Sequence, residues 1–350
     1  MVWNRKRLVY FERFFHPIAE EILGAQDDIE LVRLEYGTGA AANWREMERA
    51  CGYHIGARTE LVEPWFGNAA LLARCPDMLA LCSTGAGYDV IDVDACTAAG
   101  VIVCSQSGTN NEAVAEHAIG FILALSKKMG LTNRALLRNG AGNRYELMGN
   151  DIRHKTVGIV GLGRIGTRTA KFCHAFDMEV IACDPYLTEE QIAARGARKV
   201  DFAELLARSD FVTVHCPRSQ ETINLFDAAA FARMQPSAYF INTARGLIHN
   251  EDDLLEALRQ KRIAGAGLDV FDVEPPPADH PLLQLENVMA TPHIAGGTHE
   301  SARNMSQAAA EQWIDLLRGR VPPRLVNPEA WPLYAERFEL VLGFRPDALV

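Results

Sequence analysis

Short apolar runs that do not alternate with polar residues recur along this chain, and helix-length amphipathic stretches separate them. The runs Leu79–Ser83, Val101–Cys104, Val157–Val160, Val180–Cys183, Phe211–Val214, Tyr239–Ile241 and Gly267–Val270 read as strands. Segments such as Arg164–Phe176 and Glu251–Arg259 read as the helices between them. Unalternating strands joined through helices belong to parallel sheets covered on both faces. The expected class is therefore α/β, with doubly wound parallel sheets.

The rhythm starts near residue 6 and pauses at a helical pattern over about Asn111–Leu137. It resumes at Val157 with a glycine-rich turn. Two α/β units are expected, as a length of 350 residues also suggests. A helical run over Glu300–Arg318, stopped by Pro322-Pro323, can return to the first unit and make it discontinuous. The expected boundaries are 1–110 with 298–335 for one domain, 111–297 for the second, and 336–350 for a tail. The stretch from Leu325 onward carries Trp331, Tyr334, Phe338 and Phe344, too much aromatic surface to leave in water. It is expected to pack on the body or on a second subunit.

Thirty-five basic against 45 acidic side chains give a net charge of −10. A negative field repels phosphate backbones, which argues against a nucleic-acid partner. The longest clean apolar stretch, Ala118–Leu125, falls far short of the roughly 20 residues of a membrane span. Near the N-terminus, Glu12 and Arg13 cut the run Leu8–Phe11 at a length too short for a signal-peptide core. The eight cysteines contain no C-x-x-C pair. They read as reduced thiols of a cytoplasmic protein, with no metal site.

The strand Val157–Val160 runs straight into Gly161-Leu162-Gly163-Arg164-Ile165-Gly166 and then a helix. In that context each glycine has a use: a tight turn, close approach of backbone to a pyrophosphate, and close helix–strand packing. The next strand ends at Asp184, where a carboxylate can accept hydrogen bonds from a ribose diol and repels an added phosphate. NAD is expected rather than NADP.

Three more motifs end strands of the same unit: Ile241–Gly246 with Arg245, Gly267–Phe271 followed by Glu274-Pro275, and Ala290–Gly296 with His293. In an open parallel sheet the carboxyl ends of the strands gather where ligands bind. Singly, Arg245, Glu274 and His293 have ordinary explanations as a surface arginine, a loop acid and a turn histidine. Together they make an acid–base site for an anionic substrate.

These motifs resemble the D-isomer-specific 2-hydroxyacid dehydrogenases, a family that includes phosphoglycerate dehydrogenase and glyoxylate/hydroxypyruvate reductases. The matching residues are the glycine loop 161–166, Asp184, His215-Cys216-Pro217, the run Asn242–Gly246, Asp269–Pro275 and Thr291–Gly296. Ser83–Asp89 resembles the substrate loop, and Asn111 with Ala113–His117 resembles the helix leading into the cofactor domain. The resemblance covers roughly residues 50–320. It implies a Rossmann-type cofactor domain, a discontinuous flavodoxin-like substrate domain, and a homodimer built largely through the cofactor domains.

The resemblance also implies roles. Arg245 grips the substrate carboxylate, His293 is the general acid/base at the C2 oxygen, and Glu274 orients the imidazole. Gly161, Gly163, Arg164, Ile165, Gly166, Asp184, Cys216, Thr243, Ala244, Asp269 and Gly296 line the dinucleotide. Backbone N–H groups of Gly85, Ala86 and Gly87 hold a substrate carboxylate oxygen. The implied reaction is hydride transfer between a nicotinamide and C2 of a small D-2-hydroxy acid/2-keto acid pair.

The chain departs from the family pattern at Gly56-Ala57-Arg58-Thr59, where phosphoglycerate dehydrogenases usually carry Arg-Ser-x-Thr. It also carries Ile248-His249 after the Arg-Gly pair, where Val-Asp is common, and Asp89-Val90 in place of Asp-Asn. No C-terminal regulatory domain is expected in the remaining tail. Both the first departure and the tail argue against phosphoglycerate as substrate. Glu274 stands where formate dehydrogenases usually carry Gln. Two other readings are a dinucleotide-sensing corepressor on the same fold, and phosphoglycerate dehydrogenase itself. His117 and His215 read as structural.

Overall fold

A computed structural model describes residues 6–140 and 142–349; Arg5 and the outermost residues of the expected boundaries lie outside the described residues. The chain divides into two compact units, one up to Asn110 together with Thr298 onward, the other Asn111–Gly297.

The first unit is built on a sheet of five parallel strands: β1 (Lys6–Phe11), β2 (Ile29–Leu34), β3 (Gly52–Ile55), β4 (Ala80–Ser83) and β5 (Ile102–Cys104). Its order is β2-β1-β3-β4-β5, the flavodoxin-like arrangement. Leu8, Tyr10, Cys82 and Cys104 face one core, while Val9, Phe11, Tyr53 and Leu81 face the other. The period-two alternation therefore reports two covered faces, not one wet and one dry.

The helix His299–Leu317 closes the first of these cores with Trp313. Trp313 fits because Gly52 has no side chain there: a Cβ on Gly52 would lie 2.6 Å from the indole. The helix Trp331–Leu342 adds Trp331, Tyr334 and Phe338 to the same core. The aromatic tail thus packs on the body of its own unit. The chain leading to it is tied to the sheet edge through Asn327. That fully buried side chain accepts from Val103 N–H at 2.7 Å and donates to Val101 O and Thr97 Oγ1 at 3.1 and 2.9 Å.

The second unit holds seven parallel strands: β6 (Thr156–Val160), β7 (Glu179–Cys183), β8 (Arg198–Lys199), β9 (Phe211–Val214), β10 (Tyr239–Asn242), β11 (Gly265–Leu268) and β12 (Val288–Ala290). The order β12-β11-β10-β9-β6-β7-β8 runs outward in both directions from β6, as in a Rossmann fold. The topological switch point therefore lies at β6, beside the glycine loop.

One expected element is corrected. The helical pattern over about Asn111–Leu137 is two helices, Asn111–Ser126 and Met129–Asn139. Between them Lys128 adopts a left-handed φ of +52°, and Ser126 Oγ turns away to donate to Asn150 O. Gly149 packs so closely that a Cβ would lie 2.4 Å from Ser126 O. Apolar periodicity ran through this break because both helices keep an apolar side.

All eight cysteines are free thiols, six of them buried. Burial pushes the thiols of Cys51, Cys75, Cys96 and Cys173 up to about 12.

Asn327→Leu strands the Val103 N–H and the Val101 carbonyl without partners in a dry site. The expected cost is about 2–4 kcal/mol, read as a lower thermal midpoint. An unchanged midpoint would show that the chain beyond residue 324 is not anchored there.

Candidate active site and nucleotide loop

Strands β10, β11 and β12 are neighbours, so the loops leaving their carboxyl ends are neighbours too. They carry Arg245, Glu274 and His293. Asn242, fully buried at the end of β10, shapes the first loop: its Oδ1 accepts from Ala244 N–H at 2.9 Å and its Nδ2 donates to Arg245 O at 2.9 Å. Nδ2 also lies 3.0 Å from Nδ1 of the buried His249. Burial lowers the His249 imidazole to about 4, so it is neutral and can accept there. Gly246 lets this loop press against the next one, since a Cβ would lie 2.1 Å from Phe271 O. Leu247 N–H then donates to Asp272 Oδ1 at 2.6 Å.

The third loop depends on Asp269, whose side chain is 1 % exposed. Its Oδ1 accepts from Ile294 N–H at 2.9 Å and from Thr291 Oγ1 at 2.5 Å, and its Oδ2 accepts from Ala295 N–H at 2.8 Å. His293 N–H donates to Asp269 O at 2.8 Å. These bonds hold His293 at φ +51°, a conformation a non-glycine residue keeps only when its surroundings impose it. Thr291 Oγ1 also lies 3.0 Å from His117 Nε2. Because Thr291 gives its proton to Asp269, His117 is the donor in that contact.

His293 Nδ1 lies 2.7 Å from Glu274 Oε2. A carboxylate only accepts, so Nδ1 carries a proton and Nε2 remains for other chemistry. Glu274 Oε1 accepts from Phe271 N–H at 3.1 Å. Burial works to raise the Glu274 carboxyl. The hydrogen bond and charge of His293, the Phe271 N–H and the charge of Arg245 outweigh it and hold the carboxyl below its ordinary value. The structure thus brings Arg245, Glu274 and His293 to one sheet edge. Arg245 Nη1 also donates to Ala244 O at 2.7 Å.

The glycine loop sits at the switch point. Gly161, at φ +88°, passes so close to the β9 loop that a Cβ would lie 2.6 Å from Cys216 N. Gly166 faces Gly161 O, which a Cβ would meet at 2.3 Å. Gly163 is different: a Cβ there would meet nothing within 4 Å. Gly163 precedes the helix Arg164–Ala175, whose N-terminus has no side-chain cap. Gly163 and Arg164 are exposed at this N-terminus, and a helix N-terminus is where an anion can be held.

Asp184 follows β7 and accepts from Leu162 N–H at 2.9 Å and Tyr186 N–H at 3.1 Å, which locks it to the loop. Its oxygens keep lone pairs for a diol. Thr243 Oγ1 is buried with no hydrogen-bond partner. A bound nucleotide can supply one, and these donors and spaces fit a dinucleotide. Cys216 and Ala244 follow β9 and β10, and Gly296 follows Ala295 at the end of the His293 loop.

Gly85, Ala86 and Gly87 follow β4 in the first unit and are partly exposed. The Gly85 carbonyl accepts from Ser83 Oγ at 2.7 Å and Gln106 N–H at 2.8 Å, which fixes the turn. His215 is partly buried, lies 3.0 Å from Thr213 Oγ1, and desolvation lowers it to about 3.

Sequence reasoning placed Asn242 and Thr291 in motifs, noted His249 as a departure and read His117 as structural, but gave none of them a supporting contact in these loops. Asn242 had a signal: an asparagine at a strand end is placed to bond backbone groups two and three residues on. The His249 contact had none.

Residues 119–295 match the model of the D-isomer specific 2-hydroxyacid dehydrogenase NAD binding domain. The chain is 39 % identical to a D-3-phosphoglycerate dehydrogenase of Archaeoglobus fulgidus over 331 residues, which is 94 % of this chain and 61 % of the relative. It is 36 % identical to a glyoxylate reductase of Thermofilum pendens over 75 % of this chain and 78 % of the relative. The crystal structure of a glyoxylate reductase from Paecilomyes thermophila superposes with a TM-score of 0.82 at 26 % identity, covering 93 % of this chain and 99 % of that one. The chain therefore spans about three-fifths of the phosphoglycerate dehydrogenase it matches and about four-fifths of the glyoxylate reductase. With half its length matched by the family's cofactor-domain model and the acid–base residues at one sheet edge, this chain belongs to the D-isomer specific 2-hydroxyacid dehydrogenases.

Proposed function

We propose that the protein is an NAD-dependent oxidoreductase acting between a small D-2-hydroxy acid and its 2-keto acid. The observation that carries this reading is the His293–Glu274 contact of 2.7 Å beside Arg245, at the same sheet edge as the glycine loop. The bound nicotinamide supplies or accepts the hydride at C2. His293 Nε2 gives a proton to the C2 oxygen in reduction and takes it back in oxidation. Glu274 orients the ring through its contact with Nδ1. Arg245 pairs with the substrate carboxylate and polarises the C2 oxygen. In the first unit, the turn Gly85-Ala86-Gly87 offers backbone N–H groups suited to a carboxylate oxygen.

The first-turn N–H groups at Gly163–Gly166 hold the pyrophosphate and Asp184 the adenosine ribose, with Arg164, Ile165, Cys216, Thr243, Ala244, Asp269 and Gly296 around the dinucleotide. The curated relatives named as glyoxylate reductases support a small 2-keto acid as substrate. The chain pairs with a second copy through the cofactor unit. The exposed Leu136, Leu137, Tyr145 and Met148 of that unit support this, at 60, 78, 81 and 63 % exposure. Free thiols throughout support a cytoplasmic setting. The net charge of −10 supports the absence of a nucleic-acid partner, and no described helix is long and apolar enough to cross a membrane.

His293→Ala removes the proton donor and is expected to lower kcat for NADH-dependent glyoxylate reduction by about 10²–10⁴-fold. Near-normal turnover would remove His293 from the chemistry. Asp184→Ser removes the charge that opposes a ribose phosphate. It is expected to raise kcat/KM with NADPH relative to NADH, and an unchanged ratio would place the ribose elsewhere.

A further inference from the structure

One bond to Asp269 is governed from outside its own strand and the loop it holds. Thr291 Oγ1, 2.5 Å from Asp269 Oδ1, is itself 3.0 Å from Nε2 of His117. His117 stands on the helix Asn111–Ser126, at the start of the second unit. That helix lies directly on β11. Phe121, one turn beyond His117, packs where Gly267 has no side chain, and a Cβ on Gly267 would lie 2.7 Å from the phenyl ring. The Phe121 ring in turn meets the imidazole edge-on, with centroids 4.7 Å apart at 88°. Gly267 and Phe121 thus fix the ring of His117 against Thr291.

The direction of each bond follows from what the groups carry. A threonine hydroxyl has one proton and accepts at its lone pairs. The carboxylate takes that proton, so His117 Nε2 donates its own to the hydroxyl. The incoming donor fixes the hydroxyl rotor, and a hydroxyl that accepts one hydrogen bond gives a stronger one. His117 Nε2 is also only 4.0 Å from Asp269 Oδ1, so the positive end of its N–H lies near a carboxylate that is almost wholly buried. The same Oδ1 accepts from Ile294 N–H at 2.9 Å, and Oδ2 accepts from Ala295 N–H at 2.8 Å. Those two N–H groups directly follow His293, whose left-handed backbone depends on them.

We propose that His117 is a positioning residue for His293. Its N–H sets the Thr291 hydroxyl on Asp269, and Asp269 sets the backbone that aims the imidazole. The His293 loop is then held from two sides, by the end of β11 and by a helix packed on that strand. The consequence for proton transfer rests on the function proposed above, whereas the hold on the loop does not.

The test reads loop order and turnover separately in the full chain. His117→Phe keeps a ring against Phe121 and removes the N–H, and His117→Gln restores an N–H at similar reach. Amide exchange at Ile294 and Ala295 is expected to quicken about tenfold in His117→Phe, the loss of one hydrogen bond linked to a charge. Protection across β9 is expected to stay at the parent level. With saturating NADH and glyoxylate, kcat is expected to fall about tenfold in His117→Phe while KM stays within about twofold, as for a group that serves the transition state alone. His117→Gln is expected to recover most of both losses. Thr291→Val cuts the link, so adding His117→Phe to it is expected to change neither readout further. Parental exchange at Ile294 and Ala295 in His117→Phe would overturn the proposal. So would losses of equal size with and without Thr291, no recovery in His117→Gln, or protection lost across β9 as well. Should His117→Phe fail to fold, His117→Met, which fills the space without an N–H, takes its place in both readouts. A parent protein that reduces no 2-keto acid would overturn the proposed function, while the exchange readout decides the link by itself.

Discussion

A single buried carboxylate organises the sheet edge that carries His293. Asp269 takes two backbone N–H groups and a hydroxyl from the loop that follows β12, and its own carbonyl takes a third N–H. A carboxylate at 1 % exposure is costly unless such donors satisfy it, and satisfied it ties loop to strand end strongly. The product of that tie is the left-handed backbone at His293, which sets the imidazole against Glu274. Holding a proton donor within a few tenths of an ångström before substrate arrives is what converts acid–base residues into catalysts. The strain at His293 is thus supported by Asp269, the residue that directly follows β11.

The same logic extends along the sheet. Asn242 does for the Arg245 loop what Asp269 does for the His293 loop, using a neutral amide in place of a carboxylate. Gly246 and Gly161 remove the side chains that would keep neighbouring loops apart. Parallel strands bring their carboxyl ends to one edge, and polar residues at each strand's last positions then fold the loops over it. The acid–base group and the nucleotide loop are therefore consequences of one topology, with β6 marking the turn in strand order.

Much of this was legible in the sequence because it lies in local patterns. The strands β4 to β7, β9 and β10 announce themselves as short apolar runs, and the glycine loop by its spacing. Arg245, Glu274 and His293 were recognisable from their places just beyond strand ends. Other elements were not. β3 reads Gly-Tyr-His-Ile, and its glycine and histidine hide a strand whose core partner, Trp313, lies far along the chain. β2 is interrupted by Glu30 and Arg33, which a lateral strand tolerates on its open side. Asp269 was expected only as a residue lining the dinucleotide, since its grip on residues 291–295 is a tertiary contact with no sequence signature. His249, which departs from the family's common residue, is a buried neutral acceptor for Asn242, and only the fold shows that an imidazole there serves the Arg245 loop.

The central claim is a chemical one, that this site passes hydride to one face of a 2-keto acid. The most direct measurement is the configuration of the product formed from NADH and hydroxypyruvate, resolved by chiral chromatography alongside NADH consumption. The account predicts stoichiometric NADH oxidation yielding the D-hydroxy acid alone. A racemic or L product, or no NADH oxidation with hydroxypyruvate, glyoxylate, pyruvate or bulkier 2-keto acids, would contradict it.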